Sequence, residues 1–322
     1  MTGVLRLHRT PAMAGVLVGL VLILAGCATP QMSTLQARWP ENLAAQVELT
    51  QVPFYPQEDF ECGPAALAMA AGAAGVPVQP EALVEQVYLP GRKGSLQNDM
   101  LAATRRQGLL PYPLSPRLET LLREVAAGRP VLVFQNLALS VYPVWHYAVV
   151  IGFDRERNVL LLHSGRTRRM EMSLFTFERT WARANYWSML ALPPGQLPVT
   201  AEPATYAVAA AALERVNPQA AQTAYAAALK RWPDDRAAAL GIGNSAYALG
   251  QRDTAVQAYR AAVAQHPDFA DAWNNLAQVL WEAAELKEAT LAIGKAVALG
   301  GPRLPSYQKL KEEIESKKLA AP

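Results

Sequence analysis

The sequence predicts an α+β domain, a cysteine-bearing helix packed on an antiparallel sheet, followed by an all-α repeat solenoid. Three observations carry this expectation. Up to Leu192, aromatic and β-branched runs such as His146-Tyr147-Ala148-Val149-Val150-Ile151 alternate with helical patterns, whereas beyond Pro203 alanine dominates and strand signals vanish. The two regimes meet at Leu192-Pro193-Pro194-Gly195-Gln196-Leu197-Pro198, where three prolines and a glycine stop any helix or inner strand. From about residue 203 the chain also lines up on itself with a period of 34 residues, the mark of a stacked repeat.

At 322 residues and 51% hydrophobic content the chain is long enough for two ordinary domains. Its formal charge is +3, and residues 1–26 hold Arg6 and Arg9 but no acid, so the remainder is close to neutral. That balance points to neither nucleic acid nor an anionic surface as partner. No Gly-x4-Gly-Lys phosphate loop and no further apolar span is present, and no cofactor or metal is expected.

Residues 1–26 read as a secretory signal: Arg6 and Arg9 give a positive start, an apolar stretch runs from Ala14 to Ala25, and no acid precedes Glu41. The stretch is short for a membrane span, which needs about 20 residues. Its end, Leu22-Ile23-Leu24-Ala25-Gly26-Cys27, resembles the lipobox of bacterial lipoproteins. The resemblance implies cleavage before Cys27 and lipid on its sulfur and new amino group. The protein is then membrane-anchored in the cell envelope, and Ala28 points to an outer membrane facing the periplasm. Residues 27–46 are expected to be the lipidated cysteine and a polar tether.

With Cys27 committed to lipid, Cys62 is the only thiol left and no internal disulfide can form. Exported proteins usually pair their cysteines, so an isolated one is either buried and inert or kept for reactivity. The surrounding residues favour reactivity. Ala65, Ala66, Leu67, Ala68 and Met69 make a helix, Pro64 suits its first turn, and Cys62 falls at its N-terminus, where backbone N–H groups and the helix dipole favour thiolate. Gln57, five residues upstream, is placed to offer a side-chain amide to a developing oxyanion. Three histidines follow the signal. His266 precedes Pro267 in a repeat turn and reads as solvated. His146 opens a run that is apolar on both faces, as in a central strand, and is the candidate base for the thiol. Asp154-Arg155-Glu156-Arg157-Asn158 is a polar turn, and Val159 to His163 the returning strand.

Gln57-x4-Cys62-Gly63-Pro64-Ala65-Ala66-Leu67, then Gly94-Ser95-Leu96 before a helix ending near Gly108, then Trp145-His146-Tyr147-Ala148-Val149-Val150, resemble the bacteriocin-processing (double-glycine) peptidases. These are papain-like cysteine peptidases, and the resemblance covers about residues 47–192. It implies Cys62 as nucleophile, His146 as general base and acid, and Gln57 as oxyanion-hole donor. Relatives fused to transporters space Gln and Cys one residue further apart, and they place an aspartate near the end of the returning strand, where this chain has His163. If Phe153 pairs with Asn158, Ala148 pairs with His163, and alternation sets His163 on the face of His146 as a diagonal neighbour. His163 is then expected to hold His146 in one tautomer, with Asp154 left in the turn. A slip of one residue would move His163 to the other face.

In the second half Ala221, Ala255 and Ala289 share one column of the repeat, Ala228, Ala262 and Ala296 a second, and Tyr225, Tyr259 and Ile293 a third. Small residues let paired helices approach, the large one fills the gap between them, and Pro233 and Pro267 break the chain into the next unit. These columns, with Gly243 and Trp273, resemble the tetratricopeptide repeat. The expected organisation is a peptidase domain at 47–192, a Pro-rich linker at 193–202, and repeats at 203–235, 236–269 and 270–303. A capping helix to residue 318 carries Tyr307, Leu310 and Ile314 on one apolar stripe. The resemblance implies a groove for a protein partner, with Asn244, Asn274 and Asn275 as candidate lining.

These features predict a lipid-anchored envelope cysteine peptidase, acting on a peptide or protein, whose repeats recruit the substrate or a partner. Two other readings stay open. One is a non-catalytic peptide-binding scaffold in an envelope complex. The other is a cell-wall peptidase of the NlpC/P60 type, whose third polar residue after Cys and His is often a histidine, as His163 would be.

Overall fold

The computed structural model describes residues 29–57 and 61–320; the expected signal and Cys27 lie outside the described residues. In chain order the first domain comprises α1 (Pro30–Ala37), β1 (Gln46–Glu48), α2 (Cys62–Ala73), α3 (Glu81–Val87), β2 (Tyr88–Leu89), β3 (Gly94–Ser95) and α4 (Gln97–Arg106). It continues through β4 (Leu110–Pro113), α5 (Leu118–Ala126), β5 (Val131–Asn136), β6 (Trp145–Asp154), β7 (Val159–Ser164), β8 (Thr167–Ser173), α6 (Leu174–Ala182) and β9 (Ser188–Leu192). Seven strands make one sheet in the order β4-β9-β5-β6-β7-β8, with β1 on the far half of β6, and every pairing is antiparallel.

Alternation along β6 divides the core into two layers. Tyr147, Val149 and Ile151 pack with Ala65 to Ala70 of α2, while Ala148 and Val150 share a cluster with Leu121, Leu122 and Val125 of α5 and with Phe177 and Trp181 of α6. Helix α2 is buried continuously from Gly63 to Ala71. Its short side chains let the helix lie close on the sheet, and Gly63 lacks a Cβ where one would run into the Ser95 hydroxyl.

A bulge in β6 resets the register. Phe153 pairs with Leu160, but Val150 pairs with Leu162 and Val149 with His163, leaving Ile151 outside the ladder. The Ile151 carbonyl accepts from the Leu49 N–H at 2.7 Å, and at Gly152 a Cβ would strike the Val47 carbonyl, so the irregularity is where β1 docks. The expected pairs Phe153 with Asn158 and Ala148 with His163 are therefore not formed. The slip of one residue beside His146 turns His163 to the opposite face.

The segment expected to be a tether is folded onto the domain. Buried Glu178 of α6 accepts from the backbone N–H of Gln31 at 3.0 Å and of Met32 at 2.7 Å, so a distant carboxylate serves the unsatisfied N-terminus of α1. Gln31 in turn accepts from the Leu118 N–H at 2.6 Å, at the start of α5. Met32, Leu35 and Leu43 are buried in the core.

Seven helices follow: α7 (Pro203–Glu214), α8 (Pro218–Arg231), α9 (Arg236–Ala248), α10 (Arg252–Gln265), α11 (Ala270–Glu282), α12 (Leu286–Leu299) and α13 (Leu304–Ala320). All nine residues of the three repeat columns are buried. Asn217 and Asp235 cap α8 and α9 by accepting from the Ala220 and Ala238 N–H groups, each at 3.0 Å. Gly243 faces the Tyr259 ring at a distance that leaves no room for a Cβ. Tyr307, Leu310 and Ile314 of α13 close the last cluster. His266, expected in solvent, is buried at the end of α10.

The Pro-rich linker is pinned rather than free. Thr200 donates through its N–H and hydroxyl to Glu124 Oε1 at 2.7 and 2.6 Å, and Arg129 holds the other oxygen at 3.1 Å. Tyr206 donates to the Pro194 carbonyl at 3.0 Å, and the Glu202 N–H to the Tyr112 hydroxyl at 3.0 Å. Tyr206, Ala210 and Leu213 of α7 share one core with Leu110 and Tyr112 of β4.

Candidate active site

Cys62, His146 and Gln57 line one cleft of 680 Å³, together with Arg92, Lys93, Ser95, Leu96, Phe134, Trp145, Tyr147 and Arg166. Each arrives by a different route. Helix α2 begins at Cys62, so the thiol sits at a helix N-terminus; His146 is the second residue of central strand β6; Gln57 lies in the extended segment before α2. The backbone N–H groups of Tyr147, Gly63 and Cys62 itself reach the Cys62 sulfur, which ties the thiol to the strand position next to His146.

Gln57 is buried and held at both ends of its amide. Nε2 donates to the Tyr147 carbonyl at 3.3 Å, Oε1 accepts from the Gly165 N–H at 3.1 Å, and the Gln57 N–H donates to the Gly165 carbonyl at 3.1 Å. The remaining Nε2 proton is the one available to the cleft.

His146 meets Ser164, not His163. Its Nε2 lies 2.9 Å from the Ser164 hydroxyl, so Nδ1 is the ring nitrogen left for another partner. His163 is buried on the other face, with Nε2 3.3 Å from the Val52 carbonyl, Nδ1 accepting from the Arg169 N–H at 3.3 Å, and its ring edge-on to Phe54 at 5.1 Å. Asp154 stays in the β6–β7 turn, accepting from the Arg157 N–H at 3.0 Å. The sequence reading missed Ser164, although the signal was one residue away: it is the next side chain along β7.

Burial dominates the titration of the pair. It pushes the Cys62 thiol above its ordinary value, outweighing the three backbone N–H groups that pull it down. Burial likewise pushes His146 down to about 4. Both shifts favour thiol and neutral imidazole, against the thiolate expected from the helix N-terminus alone. Among the described residues no cluster of His, Cys, Asp and Glu is arranged to hold a metal.

A second cavity, of 300 Å³, lies on the repeats and brings Asn244, Asn274 and Asn275 together with Glu214, Tyr247, Tyr259 and Gln278. Asn244 Oδ1 accepts from the Tyr259 hydroxyl at 2.8 Å and from Asn275 Nδ2 at 2.9 Å, so the amides are fixed by one network.

The model of the C39-like peptidase family matches residues 49–189, and that of the tetratricopeptide repeat matches residues 206–250 and 240–304. No curated protein matches the chain. Among solved structures, a Bacillus anthracis protein described as a C39-like peptidase is 18% identical and covers 46% of this chain and 98% of its own, with a TM-score of 0.39. A double-glycine-motif protease of an AMS/PCAT transporter, solved with a leader peptide, is 20% identical over 45% of this chain and 96% of its own, with a TM-score of 0.33. The Yersinia enterocolitica type III secretion translocator chaperone SycD is 23% identical over 35% of this chain and 82% of its own, with a TM-score of 0.33. The chain carries a C39-like peptidase domain followed by tetratricopeptide repeats.

Proposed function

We propose that the first domain is a cysteine peptidase in which Cys62 attacks a peptide carbonyl. The observation that carries this reading is the convergence of Cys62, His146 and Gln57 on one cleft, with Ser164 on the far nitrogen of the imidazole. As the sulfur bonds to the carbonyl carbon, its proton passes to His146 Nδ1, and Gln57 Nε2 and the Cys62 N–H donate to the oxygen that becomes negative. The carbon–nitrogen bond then breaks and the amine leaves with the proton from His146. Water, deprotonated by the same imidazole, hydrolyses the thioester and restores the thiol. Burial favours the protonated thiol, which supports a proton transfer that accompanies attack instead of preceding it.

The cavity at Asn244, Asn274 and Asn275 is the proposed dock for a protein or peptide partner, since fixed carboxamides can donate to and accept from an extended backbone. Cys27 is the proposed lipid anchor, which places the enzyme in the cell envelope, at an outer membrane facing the periplasm where the host has one. A second reading, a non-catalytic peptide-holding scaffold, draws support from the burial of Cys62 and His146, which favours the neutral forms of both. The wall-peptidase reading loses its particular support, because His163 does not meet His146.

The test compares full-length protein with its Cys62→Ala variant on a peptide library, scoring new N-termini between pH 5 and 9. New termini that vanish in the variant support the peptidase; none with either protein leaves the scaffold as the function.

A further inference from the structure

The β5–β6 connection, residues 137–144, together with Trp145 at the start of β6, gathers a run of exposed apolar side chains. Leu137, Leu139, Val141, Tyr142, Val144 and Trp145 are all exposed, Val141 and Tyr142 by 75% and 81%. No Asp, Glu, Lys or Arg occurs from Pro130 to Gly152. Single exposed apolar residues are ordinary, but six within nine positions form a patch that needs a partner. We propose that this hairpin tip enters the interfacial layer of a phospholipid bilayer and holds the mouth of the Cys62–His146 cleft at the membrane surface.

Three features favour a bilayer over a peptide. The first is position: Trp145 lines the cleft, but Leu139, Val141 and Tyr142 are exposed and line none of it. Second, the backbone at the base of the turn is already paired. Buried Asn136 accepts from the Ala138 and Val144 N–H groups at 3.1 and 3.0 Å, the Leu137 N–H donates to the Val144 carbonyl at 2.9 Å, and the Tyr142 N–H to the Leu139 carbonyl at 3.1 Å. Arg183 donates to the Ala138 carbonyl at 2.9 Å, and Pro143 has no N–H to satisfy. Irregular chain is excluded from the lipid core chiefly by unpaired backbone groups, and those of Ser140 and Val141, which are not among the paired ones, confine the tip to the hydrated interfacial layer. Tyr142 and Trp145 also suit the aromatic belt of a membrane interface.

The third feature is the site of chain entry. Glu178 of α6 holds the Gln31 and Met32 N–H groups, and Arg183, just past the end of the same helix, holds the hairpin. Five residues separate these two grips, about 7.5 Å of helix. Cys27 precedes Thr29 by two residues, about 7 Å of chain. A lipid on Cys27 would thus bring the tip to the same bilayer; this third point rests on the proposed anchor, whereas the first two do not.

The test uses the full-length protein carrying Cys62→Ala and Val141→Cys, labelled at the introduced thiol with a polarity-sensitive dye and reconstituted in phosphatidylethanolamine–phosphatidylglycerol vesicles. A Val208→Cys label on the repeats, where the side chain is 71% exposed, serves as the water-facing control. The expected result is blue-shifted emission and severalfold stronger quenching by acyl-chain-brominated lipid at position 141 than at 208. Equal spectra and equal quenching at the two positions, in protein that floats with the vesicles, would overturn the proposal while leaving the anchor and the peptidase reading untouched. A KM for a soluble peptide raised severalfold by Val141→Glu, together with a water-exposed dye, would assign the tip to substrate instead. Because the labelled protein lacks Cys62, failure of the peptidase reading does not alter the dye readout.

Discussion

His146 turns its Nε2 to the Ser164 hydroxyl at 2.9 Å, while His163, one residue earlier on the same strand, reaches the Val52 carbonyl at 3.3 Å on the opposite face. A hydroxyl can hold the imidazole in its Nε2–H tautomer by accepting that proton. It cannot neutralise an imidazolium as a carboxylate does.

Ser164 is therefore expected to matter modestly. Loss of a carboxylate partner costs related triads roughly 10⁴ in turnover. Ser164→Ala should cost less, about 10-fold, because only tautomer control is lost. Ser164→Asp should raise turnover near neutrality and move the acid limb of the kcat/KM profile upward, since a carboxylate stabilises imidazolium and so raises the pH at which His146 is protonated. Unchanged profiles in both variants would remove Ser164 from the machinery.

His163→Ala should behave as a packing change. It removes the contacts to Val52, Arg169 and Phe54, with a stability loss of about 1–3 kcal/mol expected in urea unfolding. Turnover per folded molecule should be nearly unchanged. A hundredfold loss of activity at unchanged stability would return His163 to the role the sequence suggested.

The depressed basicity of His146 makes stability depend on pH. Its folded value of about 4 lies below the ordinary 6.5, so the unfolded chain binds the extra proton first. Stability should be full above pH 6.5, fall as the pH drops towards 4, and level off below that; burial lowers His163 in the same direction. The His146 contribution is on the order of 3 kcal/mol. Urea midpoints between pH 4 and 7 should fall less in His146→Gln than in the wild type.

Glu124 should govern the junction between the two halves. Its buried carboxylate serves Arg129 and Thr200, so Glu124→Ala leaves a cation and a backbone N–H without it and should cost about 3–5 kcal/mol. Limited proteolysis should spare residues 193–202 in the wild type and cut there in the variant. Rapid wild-type cleavage at this linker would contradict the pinned geometry.

Gly243→Ala should disturb the repeat groove. A Cβ there meets the Tyr259 ring, whose hydroxyl bonds Asn244, so overpacking of about 1–3 kcal/mol is expected, with weaker partner binding. Calorimetry and binding of the same variant would check both effects.

The architecture was legible because it rests on local periodicities. Alanine columns spaced by 34 residues fall on buried helix faces, and the doubly apolar run after His146 is the central strand, since both patterns record burial directly. The docking of α1 was not legible. Met32 and Leu35 stand in a largely polar stretch, and the carboxylate that accepts from the Gln31 and Met32 N–H groups lies far away at Glu178.

By itself the sequence determined the two-part architecture, the Cys62 thiol at a helix start, and Gln57 and His146 as the residues that share its cleft. The tertiary structure decided which side chain meets His146, where the linker is held, and in which direction burial shifts the titration of the pair. The reason is physical. A bulge at Ile151 leaves no trace in a run where every residue is apolar, yet it inverts the face of everything beyond it, exchanging His163 for Ser164. Desolvation likewise depends on what covers a group, and the atoms that cover Cys62 and His146 come from segments far away in the chain.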